Sequence, residues 1–158
     1  MSPQAVAEVL EAAAPPPQVR IAIDNESDVL LAGKHGRRLA SSLDFSPTDV
    51  TVIATAIMEV ARNVLRYARR GDLLLHLIEQ PGRVGLAIVA RDKGPGIADV
   101  SEALRDGKGL GLATVRRLMD EVHVRSEAGR GTTVIMRKWT HRRQVERAGF
   151  RSEMQVTR

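Results

Sequence analysis

Four short patterns carry residue types from which a site could be built. Glu59 and Asn63 stand four apart in a stretch of helical periodicity, so they share one face a turn apart. A carboxylate and an amide in that relation present oxygens to one point, where they can hold a metal-bound water and orient a nucleophile. The ordinary alternative is a surface ion pair of Glu59 with Arg62 or Arg66. Asp92-Lys93-Gly94-Pro95-Gly96 follows directly on an apolar run. There the bare glycine backbone lets a flat ligand approach while the carboxylate accepts hydrogen bonds from its edge, although such a segment by itself is more often a turn than a site. Gly107-Lys108-Gly109-Leu110-Gly111 opens a predicted helix, so backbone N–H groups and the Lys108 charge could form an anion site. Read alone, the same stretch is equally a flexible glycine loop. Gly131-Thr132-Thr133 begins the last predicted strand, where β-branched residues are ordinary.

These patterns need elements to hold them. Ile53, Ile57, Val60 and Val64 recur at helical spacing as one apolar stripe, and Glu59 and Asn63 fall on another face with Val52 and Ala56. Ser46-Pro47-Thr48-Asp49 predicts the start of that helix, with Ser46 as cap, Pro47 in the first turn and Asp49 as the acid of a capping box; it runs to about Ala68. Upstream, residues 19–23 alternate as a half-buried strand, and residues 24–27 supply cap chemistry for a helix over 28–42. Downstream, strands are expected over 73–79 and 83–91 around Gln80-Pro81-Gly82, short helices over 100–104 and 112–121, and strands over 122–127 and 132–139. The order is one strand, two helices, two strands, two helices, two strands. It predicts a two-layer α/β sandwich, a mixed sheet with helices on one face.

Composition narrows the chemistry. A chain of 158 residues, 43% apolar and 27% charged, fits one globular domain. With no cysteine, disulfides, thiolate catalysis and Cys-ligated zinc are excluded. His35, His76, His123 and His141 are scattered without ligand spacing, so a metal would arrive with a ligand. No run approaches the roughly 20 apolar residues that span a bilayer, and the first residues lack a basic, then apolar, leader pattern; a cytoplasmic protein is expected. Of the net charge of +5, residues 140–158 supply +3 from five Arg against two Glu. With one Trp, one Tyr and two Phe, a base-stacking nucleic-acid platform has little material. The chain therefore divides into a flexible Ala/Pro-rich arm over residues 1–18, a domain over 19–139, and a basic tail over 140–158, read as solubilising or as a docking segment for an acidic partner.

Taken in order, Glu59-x-x-x-Asn63, Asp92-x-Gly94-x-Gly96, Gly109-x-Gly111 and Gly131-Thr132-Thr133 resemble the N, G1, G2 and G3 boxes of the GHKL ATPase superfamily, whose ATP-binding domain has the Bergerat fold. Within it the chain is most similar to the RsbT-type switch serine/threonine kinases and the anti-sigma factor serine kinases. Met58-Glu59-Val60-Ala61-Arg62-Asn63, Arg91-Asp92-Lys93-Gly94-Pro95-Gly96-Ile97, residues 110–121 and residues 126–132 carry that similarity. The resemblance covers about residues 19–139. It implies that Asn63 coordinates Mg²⁺ against the phosphates of ATP and that Glu59 is the general base for an attacking hydroxyl. It implies further that Asp92 accepts from the adenine amino group, that Gly94 and Gly96 floor the base pocket, and that Thr133 reaches adenine through water. Lys108, Gly109 and Gly111 would belong to the lid over the phosphates. Between Ile97 and Gly109 lie 11 residues, fewer than many of these kinases have, so the lid would cover ATP less completely.

The implied function is an ATP-dependent protein serine/threonine kinase, acting on a STAS-domain antagonist or scaffold and switching partners in stress or sigma-factor signalling. A PP2C-type phosphatase or a sigma factor is a further implied partner, and a homodimer is compatible with it. The alternative, from a different class, is a nucleotide-gated adaptor or anti-sigma binding module with little or no kinase activity. Nucleic-acid binding through the tail is disfavoured because Glu146 and Glu153 interrupt its charge.

Overall fold

The computed structural model describes residues 16–106 and 111–140. Residues 1–15 of the expected arm, the tail beyond Thr140, and Lys108 and Gly109 of the third motif lie outside the described residues. Strand β1 (Val19–Ile23) leads into helix α1 (Glu26–Ser42) and helix α2 (Pro47–Asn63), which continues as a π-helical turn, Val64–Ala68. Strands β2 (Gly71–Gln80) and β3 (Arg83–Asp92) follow, then helices α3 (Val100–Asp106) and α4 (Leu112–Leu118), and strands β4 (Glu121–Glu127) and β5 (Gly131–Trp139).

Local chemistry sets these boundaries. Asn25 caps α1 in a reciprocal box with Asp28: the Asp28 N–H donates to Asn25 Oδ1, and the Asn25 N–H to Asp28 Oδ2, both at 3.1 Å. Ser46 caps α2, its Oγ accepting from the Asp49 N–H at 3.1 Å ahead of Pro47 in the first turn. The acid half of the expected second box is not made; the Asp49 carboxylate lies 4.0 Å from Lys138 Nζ on β5 instead. β2 and β3 join through Pro81-Gly82 with Gln80 opposite Arg83, and Gly82 takes φ 79°, which a tight hairpin turn requires.

The sheet order is β1-β2-β3-β5-β4, and every neighbouring pair is antiparallel. This corrects the mixed sheet predicted from element order. Two antiparallel helices between β1 and β2 return the chain to the end it left, so the next strand runs opposite, whereas a single crossover helix would have made it parallel. β4 does run in the direction of β3, but β5 lies between them.

The expected stripe of Ile53, Ile57, Val60 and Val64 is buried against Leu73, Leu75, Ile88, Ala90, Val134 and Met136 of the sheet. α1 closes on α2 where a Cβ at Gly36 would run into Ile57 Cδ1, so this contact admits only glycine without repacking. All the described helices pack on this one face. Among the described residues no helix is long and apolar enough to cross a membrane.

Candidate nucleotide site

The ends of β3 and β5, the start of α4 and the last turns of the α2 helix enclose a cavity of about 320 Å³. Asn63 and Asp92 supply its polar groups together with Thr132, and Val60, Val64, Ile97, Leu112 and Val134 make its apolar walls. Such a space, mostly apolar with a few convergent polar groups, suits a flat heteroaromatic ring.

Asp92 sits at the last position of β3, directly opposite Thr132 of β5. Its Oδ1 accepts from the Gly94 N–H at 2.9 Å and the Thr132 N–H at 3.3 Å. Two backbone donors on one oxygen lock the carboxylate and leave Oδ2 as the acceptor that a ligand can use. The loop behind it is tied down as well: Ser126 Oγ accepts from the Ile97 N–H at 2.6 Å and lies 2.9 Å from Thr132 Oγ1, and the Gly129 N–H donates to the Pro95 carbonyl at 2.9 Å.

The glycines divide their work. Gly96 lines the cavity with φ 80°. Gly94 stands behind the cavity wall, where a Cβ would come 2.7 Å from that of Ala68, so its small size lets the loop close on the π-helical turn. Gly131 has φ 101°, and a Cβ there would overlap the Asp92 carbonyl. The fourth motif, weak as a pattern, is thus needed to bring β5 against Asp92.

Thr133 corrects the role expected for it. Side chains alternate along a strand, and the register that sets Thr132 opposite Asp92 turns Thr133 to the other face, opposite Arg91 and Arg125. Thr132 lines the cavity in its place. Thr132→Val is expected to weaken nucleotide binding about 3- to 10-fold through loss of one hydroxyl hydrogen bond, and Thr133→Val to leave it unchanged; equal effects in titration calorimetry would reject this placement.

Asn63 lines the cavity at the end of α2, where the helix passes into the π-helical turn. Such turns recur at functional positions because the inserted residue re-aims the side chains around it. Glu59, one turn earlier, lies just outside the cavity wall. Its Oε1 is 3.4 Å from Arg62 Nη1, the ion pair anticipated as the ordinary alternative, and its Oε2 fills the place that a Cβ of Gly111 would take. Gly111 caps α4 with φ 65°, a conformation that calls for glycine. Of the third motif the structure places Gly111, and it brings that residue to Glu59.

Sequence reasoning assigned no role to Ser126 or Tyr67. Tyr67 lines the cavity mouth, with the Arg66 guanidinium 6.0 Å from its ring centre. Nothing in a lone tyrosine signals this, whereas Ser126 could have been sought as the residue opposite Thr132 in a predicted hairpin.

Comparison with known proteins bears on the same residues. The chain is 40% identical over 125 residues to the serine/threonine-protein kinase RsbT of Bacillus subtilis, covering 75% of this chain and 94% of that protein. It is 31% identical over 111 residues to the anti-sigma F factor of Geobacillus stearothermophilus, covering 62% and 75%. Among solved structures, the SiaB-SiaC complex from Pseudomonas aeruginosa matches in fold with a TM-score of 0.51 at 13% identity, covering 88% of this chain and 98% of that one. The family model for the histidine kinase-like ATPase domain matches residues 25–138, from the cap of α1 to the end of β5 and so across every wall of the cavity. That match spans most of the chain, and the chain belongs to the histidine kinase-like ATPase domain family.

Proposed function

We propose that the protein is an ATP-dependent serine/threonine kinase that phosphorylates a STAS-domain partner and exchanges partners according to that phosphorylation. The observation that carries the reading is the convergence of three groups: the Asp92 acceptor in the cavity, Asn63 on its wall, and the Glu59 carboxylate against Gly111 one turn beyond. The similarity to a protein named as a serine/threonine kinase, over nearly its whole length, supports kinase chemistry. The anti-sigma F factors support regulation through a bound protein.

Adenine fits between the apolar walls with its amino group donating to Asp92 Oδ2. No group of three or more His, Asp or Glu that could cage a metal occurs among the described residues. A single amide oxygen from Asn63 suits Mg²⁺, which keeps several waters and takes its remaining ligands from phosphates. When bound, Mg²⁺ draws charge from the transferring phosphoryl group. Glu59 accepts the proton of the partner's serine or threonine hydroxyl as the new O–P bond forms and the bond between the β–γ bridging oxygen and the γ-phosphorus breaks, releasing ADP. Its 32% exposed side chain leaves room for an incoming hydroxyl.

The Arg62 contact favours a second reading, in which Glu59 is a structural ion-pair partner and the protein is a nucleotide-gated adaptor. γ-Labelled Mg·ATP incubated with candidate STAS-domain proteins separates the two. Label transferred to serine or threonine is the expected result; a stable nucleotide-dependent complex without transfer would establish the adaptor.

A further inference from the structure

Arg62 stands beside the proposed base but not in the cavity. Val60 and Asn63 line the cavity and Glu59 lies at its edge, while Arg62 falls about 100° round the helix from Asn63, on the far side of Glu59. Its guanidinium therefore flanks the side from which an acceptor hydroxyl comes to a carboxylate outside the cavity wall. Glu59 Oε2 packs where a Cβ of Gly111 would stand, so Oε1 is the oxygen left for that hydroxyl. Arg62 Nη1 donates to this same Oε1 at 3.4 Å. A hydroxyl reaching Oε1 must compete with Arg62 for it.

We propose that Arg62 selects the phosphoacceptor: its guanidinium passes from Glu59 to an aspartate or glutamate that flanks the acceptor serine or threonine on the partner protein, and so opens Oε1 to the hydroxyl. The exchange rests on Glu59 acting as the base.

Three features support it. The existing pair is weak, with a single long contact between side chains 40% and 32% exposed, so a second carboxylate displaces the first at little cost. The guanidinium is also underused. It carries five donors in a planar fork, and among the described residues only Nη1 is engaged, by one oxygen. A carboxylate meeting the fork side-on makes two parallel hydrogen bonds, a geometry that a lysine ammonium does not reproduce.

The third feature is the surrounding charge. Beyond Asp49, α2 carries no acid but Glu59, and α4 carries none. Arg116 and Arg117 on α4 are exposed and form no ion pair with a described residue. Asp99 and Glu102 belong to the start of α3, where Asp99 Oδ1 accepts from the Glu102 N–H at 2.9 Å. The two helices that meet at Glu59 thus draw an acidic segment toward it.

The test uses the full chain and a STAS-domain protein that accepts label from γ-labelled Mg·ATP. The labelled serine or threonine is mapped, and an aspartate or glutamate is expected among the two residues on either side of it. Arg62→Ala is expected to lower kcat/KM for this acceptor about 10- to 100-fold and to leave ADP affinity unchanged, because Arg62 does not line the cavity. Arg62→Lys is expected to keep part of the rate. Changing the flanking acid to lysine should cost the wild-type kinase a similar factor, and Arg62→Glu should prefer that lysine acceptor to the native one by about tenfold. Circular dichroism checks that each variant is folded; should Arg62→Ala fail, Arg62→Glu with the two acceptors carries the same test. No acid beside the labelled residue, transfer unchanged or faster in Arg62→Ala, ADP affinity lost in the folded variant, or no change of acceptor preference in Arg62→Glu would each overturn the proposal. Glu59→Gln run beside them separates the two levels. Unchanged transfer there rejects the base and the exchange together, whereas transfer lost there but normal in Arg62→Ala rejects the exchange alone.

Discussion

Glu59→Ala is expected to lower phosphoryl transfer by about 10²- to 10⁴-fold, the usual contribution of a general base, while nucleotide affinity changes little. Glu59 is not among the groups that line the cavity, and its half-exposed pair with Arg62 contributes at most about 1 kcal/mol to stability. The loss should therefore fall on the chemical step and leave binding and folding nearly intact. Glu59→Gln keeps the shape against Gly111 and removes only the basicity, so it should match the alanine variant in rate. Asn63→Ala should damage affinity and transfer together, since it removes a group from the cavity wall itself. Single-turnover transfer with saturating Mg·ATP and the phosphorylated partner as product is the measurement. Transfer unchanged in Glu59→Gln would reject the base and leave Glu59 as a partner of Arg62.

Asp92→Asn should weaken ATP binding about 5- to 150-fold, equivalent to the roughly 1 to 3 kcal/mol of a buried donor left unpaired. The structure explains why an almost isosteric change costs so much. The Gly94 and Thr132 N–H groups both point at Oδ1, so the asparagine carbonyl must take that position to satisfy them. Its NH₂ group then replaces Oδ2 and faces the adenine amino group donor to donor. The reverse orientation would set the NH₂ group against two backbone donors, which is worse. Guanine carries an acceptor where adenine carries the amino group, so the ratio of GTP to ATP affinity should rise in Asp92→Asn. Titration calorimetry with both nucleotides tests this, and an unchanged ATP affinity would remove Asp92 from base recognition.

Much of this protein could be read before any tertiary contact was known. The cap at Ser46, the buried stripe from Ile53 to Val64, the Pro81-Gly82 hairpin and the order of the four motifs depend on residue type and spacing over a few residues. Local physics fixes such features: a hydroxyl reaches an N–H three residues on, and apolar groups recur with the helical turn. That Asp92, Asn63 and Gly96 belong to one site was implied by the family resemblance, and the structure has all three lining one cavity.

Other features were decided only when distant segments met. Thr132 and Thr133 are indistinguishable in sequence, and a one-residue change of register would exchange them; the pairing of β5 with β3, forty residues away, makes Thr132 the residue in the cavity. Strand direction likewise follows from how the helix pairs return the chain, so an antiparallel sheet replaced the mixed one. The demand for glycine at 131 comes in part from the Asp92 carbonyl, a group far away in the chain. Sequence determined which groups were available and which elements would carry them. The tertiary structure decided which oxygen, which face and which glycine meet at the site, because those depend on close packing between segments whose separation along the chain leaves no local trace.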